Sequence, residues 1–356
     1  MVLSFANLSY YSMIVGMQFH EMKKPFLVLI FAILGCSFPV QLISGTPTPI
    51  PTLTPLPLPT QTPLITPEPG TEKNPLILAL GPSPHPSPDA IAAGEVIASF
   101  IEARTGYRLV TVAPSSETAL VDALDKGNSH IAALTPFGYL LARKNNSVTT
   151  ILSSLREGKA FYGAQFIANR EGEFTSFFDA ERGENTAEAI VALKQFQDKK
   201  PCWSDATSPS AYVIPLGLLT QSQVQTKDPA FLQGQLNVVR AVYADDICDF
   251  GATFIDAREL PSLEADYPDV MDRVKVVWRV PEVIPYENIS LSNTLPIEMR
   301  RVIQRAFIDM MLTPDGKAAI QTVYGMDEIQ IAEDAMYDDF AAYVKASGLD
   351  LAELIE

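Results

Sequence analysis

A two-lobed α/β fold, each lobe a mainly parallel sheet flanked by helices with a ligand cleft between the lobes, is predicted by three observations. From Pro75 onward, apolar runs of strand length alternate with stretches of helical period, the pattern of strands joined by crossover helices. Two stretches, Tyr162–Ala168 and Lys275–Val280, read as strands that cross from a first unit to a second and back. A chain of 356 residues, 47% apolar, is long enough to give both units a core. The first lobe is then expected from residues 75–164 together with 277–356, and the second from 165–276. Ligand crevices in such sheets lie beyond the carboxyl ends of the strands.

Ahead of the folded part stands an export segment. Residues 1–21 read as a start-site artefact, because a signal beginning at Met22 is complete by itself. Residues 22–35 carry Lys23 and Lys24, an apolar run from Phe26 to Leu34 and then Gly35, the marks of a secretory signal. Leu34-Gly35-Cys36 resembles the end of a bacterial lipobox, in which the cysteine is lipidated and becomes the new N-terminus. An uncleaved transmembrane anchor is the alternative, although the run falls short of the ~20 residues that span a bilayer. Residues 36–74 are a linker whose Pro/Thr tract, Thr46–Gly70, has no helical or strand period and reads as an extended polyproline-type spacer. The folded domain is expected outside the cell membrane, held to it by lipid.

The elements follow in order. Leu76–Leu80 is the first strand, closed by Gly81-Pro82-Ser83, and a helix over about 89–105 carries Ile91, Val96, Ile97, Phe100 and Ile101 on its apolar side. Leu109–Val112, a helix over Glu117–Lys126 and His130–Leu134 continue the alternation, and Thr135 opens a helix to about Lys144. In the second unit, helices are expected near Thr186–Phe196 and from Ser208 to Thr220, with strands around Pro201 and over Asp249–Ile255. Pro296–Leu312 and the tail from Asp327 are amphipathic and helical.

Net charge and composition exclude several functions. At −16 the chain lacks the clustered Lys and Arg that bind a nucleic-acid backbone. His85 and His130 stand far from any Cys or Asp at metal-ligand spacing, so no metal and no cofactor are expected. No nucleophile elbow, phosphate loop or dinucleotide glycine motif occurs, which argues against an enzyme. With Cys36 assigned to lipid, Cys202 and Cys248 remain: a disulfide is expected between them, two buried thiols being the alternative.

One pattern appears twice. Thr135-Pro136-Phe137-Gly138-Tyr139 and Ser208-Pro209-Ser210-Ala211-Tyr212 each read hydroxyl, proline, any residue, tiny residue, tyrosine. The hydroxyl suits an N-cap and proline suits the first helical position, where its missing N–H costs nothing. A Gly or Ala two residues later lets an anion approach amides at the positive end of the helix. An acidic protein has no overall field to hold an anion, so local dipoles of this kind are what such a ligand requires. Two ordinary capped helices are the plainer alternative.

Ser208-Pro209-Ser210-Ala211-Tyr212-Val213-Ile214-Pro215 resembles the Ser-Thr-Ser-Gly…Pro signature of the periplasmic phosphonate, phosphate and phosphite-binding proteins of ABC importers, which have the type II periplasmic-binding-protein fold. Further segments follow that family's order: Pro82-Ser83, Thr105-Gly106, Pro136…Tyr139…Ala142, Tyr162, Cys248-Asp249-Phe250-Gly251-Ala252-Thr253, and Ile284-Pro285. The resemblance covers about residues 76–330. It implies a small oxyanion held between the lobes by Ser208, Ser210, the Ala211 backbone, Tyr139 and Tyr162, with Ser83 as a further contact. Asp249 or Asp256 would meet an amino group on the ligand. Permease subunits are the implied protein partners of a monomer. Two departures stand out: Ala211 replaces the usual glycine, and no histidine occurs between Thr226 and Val242, where phosphonate binders often carry one. A surface sensor of the same fold without a transport role is the main rival. A transferrin-like iron carrier is disfavoured, since the only Tyr-Tyr pair is Tyr10-Tyr11.

Overall fold

The computed structural model describes residues 67–355. The start-site segment, the signal 22–35, Cys36 and most of the linker 36–74 lie outside the described residues. The chain enters its first sheet with β1 (Leu76–Ala79), crosses by α1 (Pro88–Thr105) to a parallel β2 (Leu109–Val112), and returns through α2 (Glu117–Asp125) to β3 (Ile131–Leu134) on the other side of β1. Each helix starts on a sequence signal: Ser87 Oγ accepts from Ala90 N at 3.1 Å ahead of Pro88, and Ser116 Oγ from Ala119 N at 3.1 Å. Then come α3 (Pro136–Lys144), β4 (Val148–Leu155) and, past a turn at 156–160, β5 (Phe161–Asn169).

The second unit continues with a small hairpin of β6 (Phe178–Asp179) and β7 (Glu184–Asn185), then α4 (Ala189–Ala192) and β8 (Pro201–Trp203). A helix follows whose first turn, Pro209–Val213, is wide and whose remainder is α5 (Ile214–Gln221). Next are β9 (Ala230–Phe231), α6 (Gln235–Ala244), β10 (Phe250–Phe254), the short α7 (Pro261–Asp266) and α8 (Val270–Arg273), and the long β11 (Val274–Pro285). Residues 286–287 lead back to β12 (Asn288–Ser292), α9 (Ile297–Met310), α10 (Pro314–Tyr324), β13 (Glu328–Ile331) and α11 (Asp338–Ser347). Among the described residues, no helix is long and apolar enough to cross a membrane.

Beside the two-stranded β6-β7 sheet, two larger sheets result, ordered β13-β4-β12-β3-β1-β2 and β11-β5-β10-β8-β9. Both are mixed rather than mainly parallel. A chain that crosses between lobes twice, in opposite senses, brings outgoing and returning strands side by side, and these pair antiparallel: β5 with β11, and β12 with both β3 and β4. The changeover also falls outside the boundaries expected at 164/165 and 276/277. β5 and β11 pair from Asn169 opposite Val274 to Phe161 opposite Pro285, so both belong to the second sheet. The lobes therefore meet at residues 156–160 and 286–287.

The tail corrects the expected division further. Position along the chain puts α11 in the first lobe, yet it packs on α5 of the second: a Cβ on Gly217 would lie 2.3 Å from the Tyr343 carbonyl oxygen. Its other side holds α3, through stacked Phe137 and Phe340 rings 5.5 Å apart and an Arg143–Asp338 ion pair at 2.8 Å. One helix thus bridges both lobes. Cys202 on β8 and Cys248, just before β10, are joined by a disulfide with Cα atoms 5.7 Å apart.

Candidate functional site

A cleft of about 840 Å³ opens where the two sheets meet. Its walls come from the start of α3 (Thr135, Pro136, Phe137), the changeover turn (Arg156, Lys159) and β5 (Phe161, Tyr162). The second lobe adds Thr207, Pro209, Ser210, Gln235, Phe254 and Ile255, and the return adds Pro285, Tyr286 and Glu287. Both helix starts singled out by the sequence face this one cleft, because each follows a strand of its own sheet, β3 or β8, at the carboxyl end.

At the second-lobe start, Ser208 is an N-cap whose Oγ accepts from Ala211 N at 3.2 Å. The turn is wide: Val213 N donates to Ser208 O, five residues back, at 3.0 Å. The Ser210 amide, one of the first N–H groups of this helix, has no acceptor among the described residues. Ser210, only 1% exposed, lines the cleft and accepts from Gln235 Nε2 at 3.1 Å, while Gln235 Oε1 accepts from Phe254 N at 2.6 Å. Tyr162 lines the cleft together with Ser210 and stacks on Tyr286 with centroids 5.1 Å apart. Burial pushes the Tyr162 hydroxyl well above the usual tyrosine range, as do Tyr286 and Glu287 nearby, so it stays a neutral donor at physiological pH.

The first-lobe start has the same cap, Thr135 Oγ1 accepting from Gly138 N at 3.2 Å, but its end is occupied. Glu117 Oε1 accepts from Thr135 N and Oε2 from Thr135 Oγ1, both at 2.8 Å. The carboxylate lies so close to the helix that a Cβ on Gly138 would be 2.2 Å from Oε1. Burial pushes the Glu117 carboxyl above its ordinary value, against the two Thr135 hydrogen bonds, and Glu287 adds to the rise.

Charge in the cleft is unlike that of a simple anion trap. Four carboxylates (Glu117, Glu157, Glu282 and Glu287) face two cations, Arg156 and Lys159. Both cations are already paired, Arg156 with Glu287 at 2.9 Å and Lys159 with Glu282 at 2.6 Å. What the cleft offers an anion is therefore a set of neutral donors: two tyrosines, a serine, a glutamine and a backbone amide.

Of the site residues expected from sequence, Tyr162 and Ser210 line the cleft and Ser208 shapes it through its cap. The other five stand elsewhere. Tyr139 is fully buried, because it lies on the face of α3 turned toward β4; its hydroxyl donates to Asp334 Oδ1 at 2.5 Å and its ring packs on Tyr337 at 4.3 Å. Ala211 is fully buried and its amide is held by Ser208. Ser83 is engaged in its own turn, accepting from His85 N at 3.2 Å. The Asp256 side chain, 3% exposed, pairs with Arg258 at 2.6 Å and Arg279 at 3.4 Å. Burial pushes that carboxyl up, but the hydrogen bonds and charge of Arg258 outweigh it and hold the group below the usual range. Asp249 accepts from Lys200 N at 2.6 Å and ties β8 to β10.

Sequence reasoning missed Glu117, Gln235 and Tyr286. Two of them had a signal. Gln235 falls between Thr226 and Val242, where phosphonate binders often carry a histidine, and Tyr286 directly follows Ile284-Pro285. Glu117 had none, since a Ser-Glu pair at a helix start reads as ordinary capping. Among the described residues, no group of three His, Cys, Asp or Glu side chains is placed to hold a metal ion.

Residues 80–337 match the model of a family described as "ABC transporter, phosphonate, periplasmic substrate-binding protein". The phosphate-import protein PhnD of Mycolicibacterium smegmatis is 24% identical over 177 residues, 47% of this chain and 51% of that protein, so the chain spans about half the length of the curated relative it matches. XAC2383 from Xanthomonas citri is similar in fold at 14% identity. Its ATP-bound structure gives a TM-score of 0.55, over 79% of this chain and 99% of that one. Its chloride-bound structure gives 0.54, over 76% and 97%.

Proposed function

The chain belongs to the phosphonate-binding family of periplasmic substrate-binding proteins of ABC transporters, and from that premise we propose that its cleft captures a small tetrahedral oxyanion, a phosphonate, phosphate or phosphite, for delivery to a permease. Membership of a periplasmic substrate-binding family implies a place outside the cytoplasm. The observation that carries the ligand class is the wall made by Ser210, Gln235 and Tyr162, where a buried hydroxyl, a side-chain amide and a neutral phenol meet an unpaired helix-start amide. Neutral donors aimed at one point hold an oxyanion without a counter-ion.

Calorimetric titration with methylphosphonate, phosphate and phosphite tests the proposal. At least one should bind, and Ser210→Ala should weaken it by roughly tenfold to a hundredfold, the cost of one lost hydrogen bond to a charged group, while the apo protein, which also loses the Gln235–Ser210 hydrogen bond, stays folded. Absence of binding by all three, or an unweakened Ser210→Ala protein, overturns it.

The same proposal has the domain work as a monomer, tethered by lipid on Cys36 with the Pro/Thr linker as spacer. The apolar run ending in Gly35-Cys36 motivates it. Cys36→Ala should abolish lipid labelling and leave uncleaved precursor; unchanged labelling would refute the anchor.

A further inference from the structure

We propose that Glu117 sets the protonation state of the ligand, so that the cleft takes an oxyanion still carrying a proton and rejects one that is fully ionised. This rests on the oxyanion reading and adds to it a residue that the sequence pattern did not mark. Three observations converge. The carboxylate sits on the cleft wall, at the first-lobe helix start that otherwise mirrors the anion-facing start across the cleft. It is held there by both donors of Thr135 and by the close approach that Gly138 permits, so it is a fixed part of the wall. And the two nearby cations do not offset its charge, because Arg156 and Lys159 are paired with Glu287 and Glu282.

An ionised carboxylate has lone pairs and no hydrogen to give. Against a fully ionised oxygen it is repulsive, the more so in a partly desolvated cleft. Against an oxygen that keeps its hydrogen, it accepts a short charge-assisted hydrogen bond. Selection therefore operates on the ligand's last proton: hydrogen phosphate or a monoprotonated phosphonate satisfies both walls, with its ionised oxygens on Ser210, Gln235 and the second-lobe amide and its hydroxyl on Glu117. Sulfate, which keeps no proton near neutral pH, satisfies one wall and is repelled by the other.

The test compares methylphosphonate with sulfate near neutral pH, in the wild-type protein and in Glu117→Gln, by calorimetry with apo melting alongside. Wild type should prefer methylphosphonate by at least roughly tenfold, and Glu117→Gln should reduce that ratio by roughly tenfold through a gain in sulfate affinity. A preference unchanged by the substitution, or a wild-type protein that binds sulfate as tightly as methylphosphonate, overturns the proposal. A second measurement needs no variant. Wild-type affinity for methylphosphonate should fall by roughly tenfold between about pH 6 and about pH 9, as the ligand loses its last proton. The other ionisable groups lining the cleft with Glu117 are Glu157, Glu282, Glu287, Arg156, Lys159, Tyr162 and Tyr286. A flat profile overturns the proposal. If neither protein binds any of the oxyanions, the ligand class itself is wrong and Glu117 falls with it; binding without selectivity leaves the ligand class standing and removes Glu117 alone.

Discussion

The two helix starts, Thr135-Pro136 and Ser208-Pro209, are nearly the same in sequence and face the same cleft, yet they arrive at opposite chemistry. Both place a hydroxyl on the amide three residues on, at 3.2 Å in each. At Thr135 the helix closes normally, with Tyr139 N donating to Thr135 O at 2.9 Å, and a carboxylate from α2 fills the end. At Ser208 the first turn is widened by one residue, and the buried serine within it, Ser210, has an amide with no acceptor among the described residues. A local motif supplies the cap; what the cap then presents depends on residues brought from elsewhere, Glu117 in one lobe and Gln235 in the other. The tiny residues differ accordingly. Gly138 is where a carboxylate approaches the backbone, and Ala211 is where core packs against it.

Exchanging these two small residues breaks the comparison most heavily. Alanine in place of glycine usually strengthens a helix by up to about 1 kcal/mol. At Gly138 the sign should reverse: the new methyl lies 2.2 Å from Glu117 Oε1, the carboxylate has to leave, and both hydrogen bonds to Thr135 are lost. A net destabilisation of about 1–3 kcal/mol is expected for Gly138→Ala. Ala211→Gly, with no approaching group to admit, should cost about 1 kcal/mol or less through backbone freedom. Urea denaturation of both variants measures the pair. A neutral or stabilised Gly138→Ala would mean that Glu117 is not held at the helix end, and the asymmetry between the lobes would vanish.

Much of the architecture was legible in the sequence, for physical reasons that can be named. Strand and helix alternation follows from hydrophobic period, and the starts of α1, α3 and the Ser208 helix follow from hydroxyl-proline pairs. Two things were not. The lobe boundaries at 156–160 and 286–287 depend on which strand a crossing segment pairs with, and β5 and β11 are as apolar on either side of the changeover. α11 has an amphipathic pattern that shows a buried face without saying against which lobe. In the site, the sequence located the two tyrosines but not their direction: Tyr162 on a strand end reaches the cleft, whereas Tyr139, one helical turn past its cap, points into the core toward Asp334. Nor does the Ser208 helix admit a charge at its tiny position. Glutamate at Ala211 would be buried.

The smallest expected effect is a titration that sharpens the contrast between the two ends. Glu117 is desolvated, and this outweighs the Thr135 hydrogen bonds, so its carboxyl is raised above the ordinary value; Glu287 adds to the rise although it is paired with Arg156. A raised carboxyl means that the folded protein holds this proton more tightly than the unfolded chain. The stability it contributes is fully present below the unfolded value of about 4.3 and is lost as pH rises through the folded one. Glu117→Gln removes that dependence while leaving the fold's other carboxylates in place. The difference in unfolding free energy, wild type minus Glu117→Gln, should therefore fall as pH rises from about 4 toward neutrality, and then level off. Denaturation midpoints at several pH values give the slope. If the difference rises instead, the Thr135 donors outweigh burial, and the first-lobe helix end is a place where negative charge is welcome rather than tolerated, which would make the two starts alike after all.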